Sequence, residues 1–355
     1  MPKLKKSGKK RTRKKISQIW SQSIGDYVID LSCSPDGSLL AAAETSGPIS
    51  IFSSEQGNKI SISSGHGFGT SRIGWSSTGE NFVSTGLDGL IRYWNLDDPV
   101  KEIRSMKGGA NWVENLAWHP NSEYLATSAG KHLRLWNTDG ELLADWSNYE
   151  STIADIAWSP SGDCVVAATY GGLTFQFPDQ PDRQRKFEWK GSSLKIAWSP
   201  NGKFIATGDQ DSTVHFWDVE NGRDSKMSGY PTKVLPLTWN STSRYLATGG
   251  SDTVIVWDCS GEGPQGTRPI SLENHKALLS AVAFQNHGPL LASADESGLV
   301  AVWNHEKSKK ALATINFDSG ITQLVWTPND QSIAAGDNLG NIICLLYTSP
   351  SPRDS

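Results

Sequence analysis

Three short patterns in the sequence have the residue types for chemistry. Gly261-Glu262-Gly263-Pro264-Gln265-Gly266 fits G-x-G-x-x-G, the spacing that brings backbone against a pyrophosphate at a helix N-terminus. Pro264 interrupts it and no helical pattern follows, so it reads as a surface loop. Ser192 and Lys195 have the spacing of a Ser–Lys nucleophile pair, but they straddle a loop and a strand start without a supporting motif. The seven histidines are scattered, with neither H-E-x-x-H nor any other metal-ligand spacing. An active site would need acids, bases or ligands converging on one place, and nothing in the sequence points to one. The expectation is a protein that is not an enzyme, with no cofactor and no metal.

A different chemistry is better represented. Trp112, Tyr149, Tyr170, Trp189 and Tyr230 lie in polar, loop-like stretches, with Lys190, Lys233 and His275 in similar places. Aromatic residues ringed by polar groups are the material of interaction surfaces. The alternative for each is that it packs between structural elements.

The elements that carry these loops repeat. An aromatic residue or Cys followed by Ser, His, Asn, Gln or Thr recurs at Cys33, Trp75, Trp118, Trp158, Trp198, Trp239, Phe284 and Trp326. The successive spacings are 42, 43, 40, 40, 41, 45 and 42. A second anchor follows within 19 residues: Phe52, Trp94, Trp136, Phe177, Trp217, Trp257 and Trp303. Eleven of the fifteen tryptophans fall on these two anchors, so the period is a property of the chain and not of chance.

Each unit reads as short strands separated by turns. In the fifth, Leu194–Trp198 alternates, Ser199-Pro200-Asn201-Gly202 has turn chemistry, and Phe204–Thr207 and Val214–Trp217 are further strands. A weaker fourth segment leads into the next unit. No segment of helical length shows a 3.6-residue period. Four strands every ~42 residues is the spacing of propeller blades. The fold class is all-β.

These residues resemble the WD40-repeat family. Gly65-His66, Leu87-Asp88-Gly89 and Tyr93-Trp94-Asn95 give the second unit nearly the whole family pattern. There is also a fainter resemblance to bacterial-type stand-alone WD40 proteins. The resemblance implies a hydrogen-bonded network within a blade, carried over to His66, Ser84, Asp88 and Trp94. It implies Thr207, Asp211 and Trp217 in the fifth unit, which lacks the His, and His275, Ser293 and Trp303 in the seventh. It also implies that partners dock on the face bearing the loops before the first strand and between the second and third. The function expected is a scaffold or adaptor for a protein or peptide, a monomer within a larger complex.

Residues 16–345 are expected to form one propeller of eight blades, the last closed by residues 16–23, with seven blades as the alternative. Residues 1–15 hold nine Lys or Arg and no acid. Set against a whole-chain charge of -4, that tail leaves the body at -13. The tail is read as a disordered basic extension, and as the means of RNA or chromatin contact through residues 3–15 in the alternative function. Residues 344–355 resemble translated sequencing-adapter sequence and are read as non-native. Cys33, Cys164, Cys259 and Cys344 form no C-x-x-C pair. With no apolar run of the ~18 residues a span needs, they suggest an intracellular protein, cytoplasmic or nuclear.

Overall fold

The computed structural model describes residues 15–96, 101–121, 124–180 and 182–348. The basic tail, apart from Lys15, and residues 349–355 lie outside them. Among the described residues every regular element is a β-strand, and no helix is long and apolar enough to cross a membrane.

The second unit shows how the repeat folds. Its strands are Thr70–Trp75, Phe82–Gly86, Leu90–Asn95 and Lys101–Lys107, each antiparallel to the next. The first turn closes with Gly79 N donating to Ser76 O at 2.9 Å, Gly79 having a φ of 79°, a region open to glycine at little cost. The second turn uses Asp88, whose Oδ1 accepts Leu90 N at 3.1 Å, before Gly89. Phe82–Gly86 is buried along its whole length, whereas Lys101–Lys107 is mostly exposed. Strands covered on both faces read as continuous apolar or small-residue runs. The faces that cover them belong to neighbouring units: Val83, Ile91 and Tyr93 share a core with Leu125 and Trp136 of the third.

Innermost strands pack in chain order around the ring. Val28–Cys33, Thr70–Trp75, Asn115–Trp118, Asp155–Trp158, the end of Gln184–Trp198, Leu237–Trp239, Leu279–Phe284 and Ile321–Trp326 each touch the next, and the last returns to the first. Side chains stitch them: Asp30 Oδ2 accepts Ile73 N at 2.9 Å, and Asp155 Oδ2 accepts Ile196 N at 2.9 Å.

Hydrogen bonding groups the strands into seven sheets, six of four strands and one of six. The expectation of eight separate blades is therefore corrected to the alternative of seven. The eight sequence units are accommodated because the fourth and fifth share the six-stranded sheet. The cause is local. The fourth unit's second and third strands run through the tight tip Tyr170-Gly171-Gly172 as Val165–Gln176, and its fourth continues without a loop into the fifth unit as Gln184–Trp198. Tyr170 pairs with Ser192 at the junction.

Lys15–Ser23 closes the ring by pairing antiparallel with Asn341–Thr348, in turn paired with Ser332–Asp337, which gives the last sheet its fourth, outermost strand. Trp20 anchors this strand. Its Nε1 donates to Ser54 O at 2.9 Å, and its indole stacks 6.2 Å from Phe52. Gly57 is required beneath it, since an added Cβ would stand 2.4 Å from the indole. Cys344 and Leu345 are buried in this sheet, Leu345 opposite Ile333 where the seventh unit has Trp303 opposite Leu291.

Candidate functional site

Antiparallel order places the loop before each first strand and the loop between second and third strands on one face. That face is built on hydrogen-bonded relays inside the units. In the second, Trp94 Nε1 donates to Ser84 Oγ at 2.8 Å, Ser84 lies 2.7 Å from His66 Nε2, and His66 Nδ1 lies 2.7 Å from Asp88. The ring fits because Gly86 has no side chain; a Cβ there would be 2.2 Å from His66 Cγ. Burial first, opposed by Asp88, holds the His66 pKa below its usual value. Burial alone would raise Asp88, but the bonds from His66, Leu90 and Arg92 bring it below the usual carboxylate range. The relay therefore consists of a neutral imidazole on an ionised carboxylate.

The seventh unit repeats this with Trp303, Ser293 and His275, at 2.8 and 2.6 Å, but the carboxylate is Asp295, 2.9 Å from His275 Nδ1. Asp295 was not anticipated from the sequence because it stands two residues after the Ser rather than four. In the sixth unit Tyr230 replaces the histidine: its hydroxyl accepts Trp257 Nε1 at 2.9 Å and lies 2.7 Å from Thr248 Oγ1. In the fourth, Tyr149 Oη accepts Gln176 Nε2 at 3.3 Å. Gln176, not Phe177, thus occupies the anchor position. The fifth unit departs most. Asp211 sits on the turn, bonded to Thr213 and Lys226 at 2.6 and 3.1 Å, and makes no triad with Thr207 and Trp217.

Two clefts open on the face. Tyr149, Tyr170, Trp189 and Lys190 line one of about 460 Å3, together with Glu150, Lys186 and Glu188. Tyr170 is 59% exposed, whereas Tyr149 is buried and Trp189 half-buried, stacked 4.1 Å from His215. Trp112, 57% exposed, borders the second, of about 370 Å3, with Asn111, Lys131 and Arg134. Lys131 Nζ donates to Glu150 O at 2.7 Å, so the two clefts are adjacent. Among the described residues no group of three or more His, Cys, Asp or Glu is placed to hold a metal.

The sequence pattern of the family described as "WD domain, G-beta repeat" matches residues 57–95, 100–137, 185–218, 228–258 and 266–304, together just over half of the chain. The chain belongs to the WD40 repeat family. Its similar proteins include the WD repeat-containing protein slp1 of Schizosaccharomyces pombe, 25% identical over 62% of this chain and 46% of slp1. The transcriptional corepressor LEUNIG_HOMOLOG of Arabidopsis thaliana is 23% identical over 78% of this chain and 35% of its own. The protein transport protein sec13 of Aspergillus clavatus is 26% identical over 38% and 55%. The chain thus spans between about a third and about half of these relatives. The computationally designed protein Ika8 shares the fold, with a TM-score of 0.77 and 19% identity over 92% of this chain and 98% of Ika8.

On this WD40 face the aromatic residues singled out from the sequence divide. Trp112 and Tyr170 project into solvent, Trp189 is partly open, and Tyr149 and Tyr230 spend their hydroxyls inside their units. His275 is buried with both ring nitrogens bonded, so it offers no free contact. Lys233 is exposed but lines neither cleft. A second set of exposed apolar residues lies in the same loops and was not anticipated from the sequence. These are Phe68 at 79%, Leu339 at 67%, Leu235 at 42%, Tyr27 at 38% and Leu278 at 37%. Tyr27, Phe68, Leu235 and Leu278 stand one or two residues before an innermost strand, and that position was the available signal.

Proposed function

We propose that this WD40 propeller is a non-catalytic scaffold that holds a protein or peptide partner on the face carrying Trp112, Tyr149, Tyr170, Trp189 and Lys190. The observation that carries this reading is the adjacency of the two clefts with Trp112 and Tyr170 more than half exposed at their rims. Exposed aromatic anchors over buried, bonded supports are what a preorganised interface needs. Membership of the WD40 family supports it, as do relatives named for corepression and protein transport. The carboxylates of the innermost strands support the absence of catalysis, because Asp30 and Asp155 are occupied by backbone N–H groups. Tyr149 acts as a support for the cleft. Tyr230 and His275 belong with the blade networks and not with the contact surface.

An intracellular location, cytoplasmic or nuclear, and a monomer within a complex go with this reading. The alternative places the function in residues 3–15, whose nine Lys or Arg without an acid suit RNA or chromatin phosphates. Affinity capture with the intact chain, a chain starting at Ile16 and the double variant Trp112→Ala, Tyr170→Ala separates the two. A partner kept without the tail and lost from the double variant supports the face. Capture that needs residues 1–15 and is abolished by nuclease supports the tail. The reading of residues 344–355 as non-native is likewise a proposal, tested by sequencing the genomic locus; the same codons in genomic DNA would sink it.

A further inference from the structure

In the fifth unit the place that His66, Tyr230 and His275 take in the second, sixth and seventh units, ahead of the innermost strand, is taken by Trp189 from within the continuous strand Gln184–Trp198. Its indole stacks on His215, and its Nε1 donates to Ser193 Oγ at 3.0 Å. No polar atom of Trp189 is left for the interior of the unit.

That interior still contains polar groups. Thr207 pairs directly with His215 across the two central strands. Strand alternation puts Asp209, two residues past Thr207, and Trp217, two past His215, on the same side of the sheet. Asp209 is 0% exposed, Trp217 1% and His215 4%. Trp217 Nε1, His215 Nε2 and Asp209 Oδ1 are buried without a hydrogen-bond partner in the protein. The Thr207 hydroxyl is likewise buried without a partner. In the second, third and seventh units the corresponding hydroxyl receives the Trp N–H instead. Four orphaned polar atoms in one buried layer are destabilising, because each gives up its hydration without gaining a partner.

We propose that one internal water molecule is held in the fifth unit by Trp217 Nε1, His215 Nε2 and Asp209 Oδ1, beneath the Trp189 ring.

The chemistry of the three atoms selects the occupant. Trp217 Nε1–H is a donor only. His215 Nδ1 is engaged with Asp224 Oδ2 at 3.1 Å, and burial holds the ring neutral, so Nε2 is an acceptor. Asp209 Oδ2 accepts His215 N at 3.1 Å, leaving Oδ1. The occupant must accept once and donate twice, which a water does with a lone pair to spare. If Asp209 binds a proton at Oδ1, the water accepts twice and donates once, and still fits. A metal cation would face the Trp217 N–H, and an anion would face Asp209. About three hydrogen bonds is the usual complement of a buried water.

The test is a high-resolution crystal structure of the full chain, with solution spectra of ¹⁵N-indole-labelled protein. The expected result is one ordered density peak within hydrogen-bonding reach of all three atoms. The Trp217 indole proton should also show a cross-peak to a long-lived water that the Trp94 indole, bonded to Ser84, lacks. Direct pairing of Trp217 Nε1 with Thr207, density that requires a metal or halide, or no solvent cross-peak at Trp217 overturns the proposal.

Discussion

The indole of Trp257 donates to the hydroxyl of Tyr230 at 2.9 Å, and that hydroxyl also meets Thr248 at 2.7 Å. A tyrosine from the loop thus does in the sixth unit what a histidine does in the second and seventh. Tyr230→Phe keeps the ring and removes the oxygen. It should cost about 1–3 kcal/mol, the penalty for leaving buried partners unsatisfied. Denaturant unfolding checks the cost. Partner capture should survive, because the hydroxyl is spent inside the unit.

The histidine relays give the fold an acid-sensitive limb. Burial is the leading cause of the lowered pKa of His66 and of His275. A histidine with a depressed folded pKa binds fewer protons folded than unfolded. Its contribution is present above its ordinary pKa of about 6.5 and is lost as pH falls below that. Unfolding midpoints should therefore drop as pH is lowered from about 7 to 5. The drop should be shallower in His275→Gln, which should itself be less stable than the parent at neutral pH.

Asp209 works in the opposite direction. Burial raises its pKa to about 7, so the folded protein binds its proton more tightly than the unfolded chain. The favourable term is complete below about pH 4 and disappears as pH rises through about 7, a swing on the order of 4 kcal/mol. Asp209→Asn removes the charge and should stabilise the protein at pH 8 while leaving it nearly unchanged at pH 4. Equal midpoints for parent and variant at pH 8 would contradict this.

Ring closure depends on Trp20, which is 8% exposed and bonded to Ser54 O. Trp20→Ala removes an indole from the contact between the closing strand and the first unit. A loss of about 3–5 kcal/mol is expected, as for other large buried side chains cut to alanine. Hydrogen exchange should locate it, with protection falling first in Lys15–Ser23 and Asn341–Thr348.

Much of this was legible because period, turn glycines and anchor tryptophans are local features. The relay of His66, Ser84, Asp88 and Trp94 could be located for the same reason. What was not legible depended on packing across units. The fourth and fifth units were read as separate blades because residue spacing does not reveal that Tyr170 would pair with Ser192. Asp295 and Gln176 were missed because each sits one or two positions from the expected slot. Whether an aromatic residue in a loop projects or turns inward, as with Tyr170 and Tyr230, is decided by the partner its hydroxyl finds. Phe68 and Leu339 escaped attention because a lone apolar residue in a polar loop carries no pattern.

The central claim is that partners are held on the face of Trp112 and Tyr170. A photo-crosslinking residue placed at Tyr170 or Trp112 tests it most directly. The comparison positions are Ile62 and Ile103, which are 54% and 60% exposed on outer strands. The account predicts that a partner co-purifying with the chain crosslinks from Tyr170 and Trp112 and not from Ile62 or Ile103. Crosslinks from the outer strands alone would contradict it.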